Sequence, residues 1–346
     1  MKDIMVLGAD LGWVGQLELR GIRWVDIDGN QIDPLQAVKN MGTNTVRLRV
    51  FVNPPAEAFW QKKDGTVCML GFADGKSVLE MAKRVKNLGL DLMVDFHYSD
   101  HFADPQYQDI PDAWKNDDAE GLKGRVYAHT KEVMTLLVEN DIYPKWVQVG
   151  NEINPGILLP YGGLKENPEN LVEFLNAGYD AVKECCPECK VITHITAVHR
   201  ADWCNLFWEN FFKLGGKMDV MGFSHYPYWF RTVQSAEFLL EHLMQYEKQY
   251  HKPIMICEVG GPEGNEELTY QLITNTIEAL KGLPDGKGLG VIYWEPEANS
   301  ALLPDKYPLG AAKLIDEHTL QFTKALNAYR DCRDSNTRNV TRRNGQ

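Results

Sequence analysis

The chain has 346 residues, more than an average domain but within the range of a single eight-fold β/α barrel with long loops. Hydrophobic residues make up 44% and charged residues 24%, which excludes a disordered or collagen-like chain and leaves material for a large core. Against 48 Asp and Glu stand 36 Lys and Arg, a net charge of −12 that would repel a polyanion, so no nucleic-acid partner is expected.

Short β-branched and apolar runs recur along the chain, each ending in polar or aromatic residues. They begin with Ile4 to Asp10 and continue with Thr45 to Val50, Asp91 to His97, Trp146 to Gly150, Val191 to His194, Asp219 to Phe223, Ile254 to Glu258 and Gly290 to Trp294. Their spacing of about 28 to 55 positions is what a strand, a helix and two connections require. Helix signals fill the gaps. Asp33-Pro34 is an N-cap followed by proline at the first helical position, with Gly42 as the stop, and Asn167-Pro168 repeats the device. Ser77 with Glu80 forms a capping box ahead of the stripe Val78, Leu79, Met81, Ala82, Val85 and Leu88.

Eight alternations without a linker or low-complexity tract predict an α/β fold, a single (β/α)8 TIM barrel over residues 1–330; a doubly wound open sheet is the alternative. Residues 331–346 are polar and read as a flexible tail. No apolar run approaches the roughly 18 residues that span a bilayer, so no membrane association is expected. Met1-Lys2-Asp3 passes directly into the first apolar run, which leaves no room for a leader, so the expectation is a cytoplasmic protein or a chain written without one. The seven cysteines are an odd, irregular set and are expected to be reduced; Cys185, Cys186 and Cys189 cluster without the remaining ligands of a zinc site.

In such barrels the catalytic groups come from the C-terminal ends of the strands. Two glutamates there, Glu152 and Glu258, are 106 positions apart, on runs four and seven. Paired carboxylates suit glycosidic cleavage, one as proton donor and one ionised to attack or to activate water. Trp13, Trp114, Trp229 and Trp294 follow strands and are expected to stack on sugar rings, whereas Trp24 and Trp146 are expected in the core. His97 and His225 are expected to bond sugar hydroxyls, with His194 a satisfied core residue. The three histidines also allow a metal-dependent barrel, but the first run lacks a His-x-His pair and no metal is expected.

Gly8-Ala9-Asp10, Val46-Arg47-Leu48-Arg49-Val50, Asp95-Phe96-His97-Tyr98-Ser99-Asp100, Trp146 through Asn154 with its Gly-Asn-Glu-Ile-Asn string, and Tyr293-Trp294-Glu295-Pro296 resemble, in the same order, the endo-β-1,4-galactanases of glycoside hydrolase family 53. The resemblance implies a retaining barrel enzyme that needs no cofactor and hydrolyses β-1,4-galactan and type I arabinogalactan to galacto-oligosaccharides. It makes Glu152 the acid/base, Glu258 the nucleophile, Asn151 the partner of the sugar 2-hydroxyl and Arg47 the arginine beside the nucleophile. Substrate contacts are expected from Asp10, Arg49, His97, Asp100, Trp114, His225, Tyr226, Trp229 and Trp294. A secreted monomer is implied, although this sequence shows no signal peptide. Another β-glycanase of the clan, an exo-β-galactosidase or an inactive carbohydrate-binding barrel are the alternatives. Phe102 and His225 depart from the family pattern near the expected cleft, and no calcium site is carried over.

Overall fold

The computed structural model describes residues 4–333. Its centre is a closed barrel of eight strands: β1 (Val6–Asp10), β2 (Thr45–Val50), β3 (Asp91–Phe96), β4 (Trp146–Val149), β5 (Lys190–Ile195), β6 (Val220–His225), β7 (Ile254–Val259) and β8 (Gly288–Tyr293). Every neighbouring pair is parallel, and β8 returns to β1 with Ala9 opposite Tyr293. The helices are α1 (Val14–Leu19), α2 (Pro34–Asn40), α3 (Gly75–Asn87), α4 (Ala119–Val138), α5 (Pro168–Cys185), α6 (Ala201–Lys213), α7 (Ala236–Tyr250) and α8 (Glu266–Lys281). All eight expected strands are present, with ends displaced by no more than two residues. No described helix is long and apolar enough to cross a membrane.

Alternation along each strand divides its residues between two environments. Val46, Leu48 and Val50 of β2 face outward into the helix layer with Leu92, Val94 and Phe96 of β3. Inward-facing Val6, Met93, Trp146, Ile192, Val220, Met255, Cys257 and Ile292 fill the barrel floor as a separate cluster. Above this floor the same inward face becomes polar and charged, with Arg47, Asp95 and the neutral amide Gln148 all buried. The C-terminal end of the barrel is thus built on an apolar base.

Three local expectations need correction. The cap of α3 is Asp74, which accepts from the amides of Lys76 and Ser77, so the helix begins ahead of the Ser77–Glu80 pair. Asp33 does cap α2, whereas the Asn167 side chain turns back to donate to the carbonyl of Pro160 rather than capping α5. Cys186 and Cys189 form a disulfide, against the expectation of reduced cysteines. The chain leaves α5 at Cys186 and turns, Cys189 N donating to Cys186 O, which brings the two Cα atoms to 5.4 Å. Residues 331–333 of the expected tail continue a helix that begins at 327, and the rest of the tail lies outside the described residues.

Trp24 and Trp146 are buried, as expected of core residues. Four further strands, Arg23–Val25, Gln31–Ile32, Ala312–Asp316 and Thr319–Phe322, form a sheet beside the barrel. The hairpin Phe59–Gln61 with Val67–Met69 rises from the loop after β2. Because Ile292 is fully buried in the barrel floor, Ile292→Ala is expected to cost about 2–5 kcal/mol of unfolding free energy in urea titration. A loss below about 0.5 kcal/mol would show that the floor is not close-packed.

Candidate active site

The C-terminal end of the barrel opens into a cavity of about 640 Å³. Asn151, Glu152 and Glu258 line it, with His97, Phe102, Tyr226, Trp229 and Trp294. Glu152 reaches it by an abrupt turn after β4, in which Gly150 (φ 82°) and Glu152 itself (φ 49°) both adopt left-handed backbone. A non-glycine residue there is uncommon and carries strain that the surrounding structure must offset. Glu258 comes from the end of β7, where a register shift pairs it with Ser224 of β6.

Arg47 joins these elements. Its guanidinium is buried and pairs with Asp10 of β1 at 3.1 Å, Asp95 of β3 at 2.6 Å and Glu258 of β7 at 2.9 Å. It also donates to Asn151 Oδ1 at 2.8 Å. That oxygen accepts from Gln148 at 2.9 Å and lies 2.9 Å from His194 Nδ1, while Asn151 Nδ2 donates to Ala103 O. The asparagine oxygen is therefore saturated within the protein. One amide hydrogen remains for a ligand, since Nδ2 carries two.

The two glutamates are electrostatically distinct. Burial pushes Glu152 up to about 8, the nearby Glu258 charge adds to this, and the Ser224 and Thr196 side chains, which favour the charged form, only partly oppose it. Burial also raises Glu258 above its ordinary value of 4.5, but Arg47 and a hydrogen bond from Tyr226 act the other way. These causes favour the protonated form of Glu152 at neutral pH, and Glu258 keeps partners that favour its carboxylate. Burial lifts Asp10 well above the usual range despite Arg47, whereas at Asp95 Arg47 and His97 overcome burial and hold the carboxyl low.

Several expected contact residues stand elsewhere. Asp10 lies behind Arg47, away from the cavity wall. Arg49 is buried in an ion pair with Glu295 and donates twice to the carbonyl of Leu70. Its guanidinium lies 4.9 Å from the Phe102 ring centre, supporting the cleft from behind. Gly71 permits this arrangement, because with φ at 76° a Cβ would fall 2.1 Å from Gly12 O. The Asp100 carboxylate accepts from the amides of Asn53 and Asp112, and so holds two loops together outside the cavity. Trp114 is turned inward by the one-turn helix Asp112–Trp114 and packs beside His129.

Trp13 is also buried, its indole N–H donating to Met69 O and its ring 5.0 Å from Trp294. His97 lines the cavity, but Ala103 N donates to its Nδ1 and its Nε2 lies 2.9 Å from Asp95, so neither nitrogen is left for a sugar hydroxyl. His225 is buried and does not reach the wall. His194 is a satisfied core residue, with Nδ1 on Asn151 and Nε2 2.8 Å from Ser224 Oγ. Tyr226 places its hydroxyl 3.0 Å from Glu258. Trp229 and Trp294 do line the cleft. Asp95, Gln148 and Tyr307 were missed, although Asp95 and Gln148 are inward-facing polar residues on otherwise apolar strands and could have been flagged by that alternation.

A (β/α)8 barrel carrying an acidic glutamate and an arginine-paired glutamate in one cleft defines a glycosidase class of protein. Residues 6–329 match the model of Glycosyl hydrolase family 53, and the chain belongs to that family. It is 32% identical over 324 residues to the arabinogalactan endo-β-1,4-galactanase of Cellvibrio japonicus, covering 84% of this chain and 80% of that protein. The solved family 53 catalytic domain of Ignisphaera aggregans superimposes with a TM-score of 0.78 at 26% identity, over 94% of this chain and 95% of that one. A solved fungal β-1,4-galactanase shares the fold with a TM-score of 0.80 at 24% identity, over 95% of this chain and all of that one. The chain is a glycoside hydrolase.

Removing the Arg47 charge while keeping its bulk, as Arg47→Met, is expected to cost about 3–5 kcal/mol in chemical unfolding, because Asp95 and Glu258 would be left buried without their cation. A cost below about 1 kcal/mol would show that the carboxyls simply take up protons and that the cluster does not depend on Arg47.

Proposed function

We propose that this enzyme cleaves internal β-1,4-galactosidic bonds of galactan and type I arabinogalactan with retention of configuration. The observation that carries this reading is the division of labour in one cleft: Glu258 is ion-paired to Arg47 and bonded by Tyr226, while Glu152 is held protonated. The galactanase named among its relatives supports the choice of polysaccharide.

In the first step the Glu258 carboxylate attacks the anomeric carbon. The bond to the glycosidic oxygen breaks, and Glu152 delivers its proton to that departing oxygen. Esterification removes the charge on Glu258, and with it one of the causes that raise the Glu152 pKa. Glu152 is thereby better able to hold the charge it now carries. In the second step it takes a proton from water as the water oxygen bonds to the anomeric carbon and Glu258 is released as a carboxylate. The remaining Asn151 amide hydrogen is directed to the sugar 2-hydroxyl. No step calls for a cofactor.

The pH profile follows from the two shifts. Activity is lost as pH rises through about 8, where Glu152 loses its proton, and as pH falls through a value above 4.5, where Glu258 gains one. Measured on galactan, kcat/KM should be bell-shaped with those limbs, and Glu152→Gln should remove the alkaline one. Persistence of that limb in the variant would sink the assignment of the acid. Glu258→Ala should show no turnover. Glu152→Ala should be partly rescued by azide on an activated aryl galactoside, yielding the β-glycosyl azide; an α-azide product would contradict retention.

A further inference from the structure

Arg47 fixes hydrogen-bond directions well beyond its own contacts. Its Nη2 donates to Asn151 Oδ1 at 2.8 Å, and Gln148 Nε2 donates to the same oxygen at 2.9 Å. A guanidinium can only donate, so the atom it meets is the amide oxygen, and the Asn151 nitrogen points the other way, to Ala103 O at 2.8 Å. His194 Nδ1 lies 2.9 Å from that oxygen and therefore carries a hydrogen. The ring is fully buried, and burial followed by the Arg47 charge lowers its pKa well below 6.5, so it is neutral. A neutral imidazole with its hydrogen on Nδ1 has a bare lone pair on Nε2. Ser224 Oγ lies 2.8 Å from Nε2, and the Ser224 hydroxyl must donate there.

Ser224 is buried near the end of β6, where its side chain and that of Thr196 act on the Glu152 carboxyl. By proximity alone either hydroxyl favours the charged form, because it can turn its hydrogen to the carboxylate. Ser224 lacks that freedom. Its hydrogen is engaged by His194, and what it can offer Glu152 is a lone pair. A lone pair accepts a hydrogen bond from the acid and repels the carboxylate.

We propose that Ser224 is a positioning residue for the acid/base: with its own hydrogen held by His194, it accepts a hydrogen bond from protonated Glu152 and keeps that proton in place until the glycosidic oxygen arrives. The direction of every bond in the series Arg47, Asn151, His194, Ser224, Glu152 then follows from an arginine that cannot accept. In the second step the same lone pair destabilises the Glu152 carboxylate and makes it readier to take a proton from water. The proposal rests on the acid/base reading of Glu152 above and names what holds its proton.

The test is the alkaline limb of kcat/KM on galactan in Ser224→Ala, with native folding checked by thermal melting. The limb near pH 8 should move about one pH unit lower, roughly the worth of one hydrogen bond. His194→Leu keeps Ser224 but frees its hydrogen to turn to Glu152, and should move the limb the same way. Glu258 from β7, Asp104 from the loop after β3 and Tyr226 from the end of β6 also act on or feel Glu152, and Lys62, His97, His199 and Asp305 line the same cavity. All of these are retained in both variants, so the difference from wild type reports the hydroxyl. An upward shift or none would overturn the proposal, because loss of a donating Ser224 would raise the limb. The Glu152 titration is followed in parallel by 13C NMR of protein labelled at the glutamate carboxyl carbons, its signal identified by its absence in Glu152→Gln. If the alkaline limb survived in Glu152→Gln, the reading of the acid would fail, and the NMR titration would still decide whether Ser224 holds the Glu152 proton.

Discussion

A single buried guanidinium organises the catalytic end of this barrel. Arg47 contacts carboxylates on β1, β3 and β7 and the amide of Asn151 just beyond β4, so one side chain ties together elements that are far apart in sequence. Burying a cation is costly unless it is well paired, and the planar fork of arginine pairs through both terminal nitrogens where the point charge of lysine could not, although Arg47 Nε is left without a partner. The carboxyls do not share the charge equally. Asp10 is pushed towards the neutral acid, while Asp95 is held ionised. Glu258 is the member of the set that also faces the cavity.

From that constraint follows the difference between the two glutamates that line the cavity. Both feel desolvation, but Glu258 has an arginine at 2.9 Å, whereas no cation is among the main influences on Glu152. Residue type alone would make them equivalent. The placement of one cation gives one carboxyl a charged partner, while burial leaves the other with a pKa raised to about 8.

A second ion pair has a mechanical role. Arg49 and Glu295 lie beneath the rings of Phe102 and Trp13, and Glu295 also accepts from the amides of Gly12 and Trp13. Trp13 in turn abuts Trp294, which forms part of the cleft wall. Trp13 and Arg49 therefore support the cleft wall from one layer down. Neighbouring Glu297 is buried without a hydrogen-bond partner for either oxygen, and burial, then the neighbouring Glu295, raises its pKa well above the usual carboxyl range.

Sequence by itself determined the barrel, the order of its strands and the positions of Glu152, Glu258, Arg47 and Asn151. Strand periodicity, proline and glycine punctuation and the Gly-Asn-Glu-Ile-Asn string are local signals, and a parallel barrel places every strand end on one rim. Tertiary structure alone decided which rim residues face the cavity. Asp100, Trp114, His225 and Arg49 occupy strand ends or adjoining loops just as Trp294 does, but loop backbones turn them into ion pairs, caps and core. The same holds for His97, whose nitrogens are taken by Asp95 and an amide six residues further along. A side chain's direction at the end of a strand depends on what approaches it from distant segments, and that information is created only when the barrel closes.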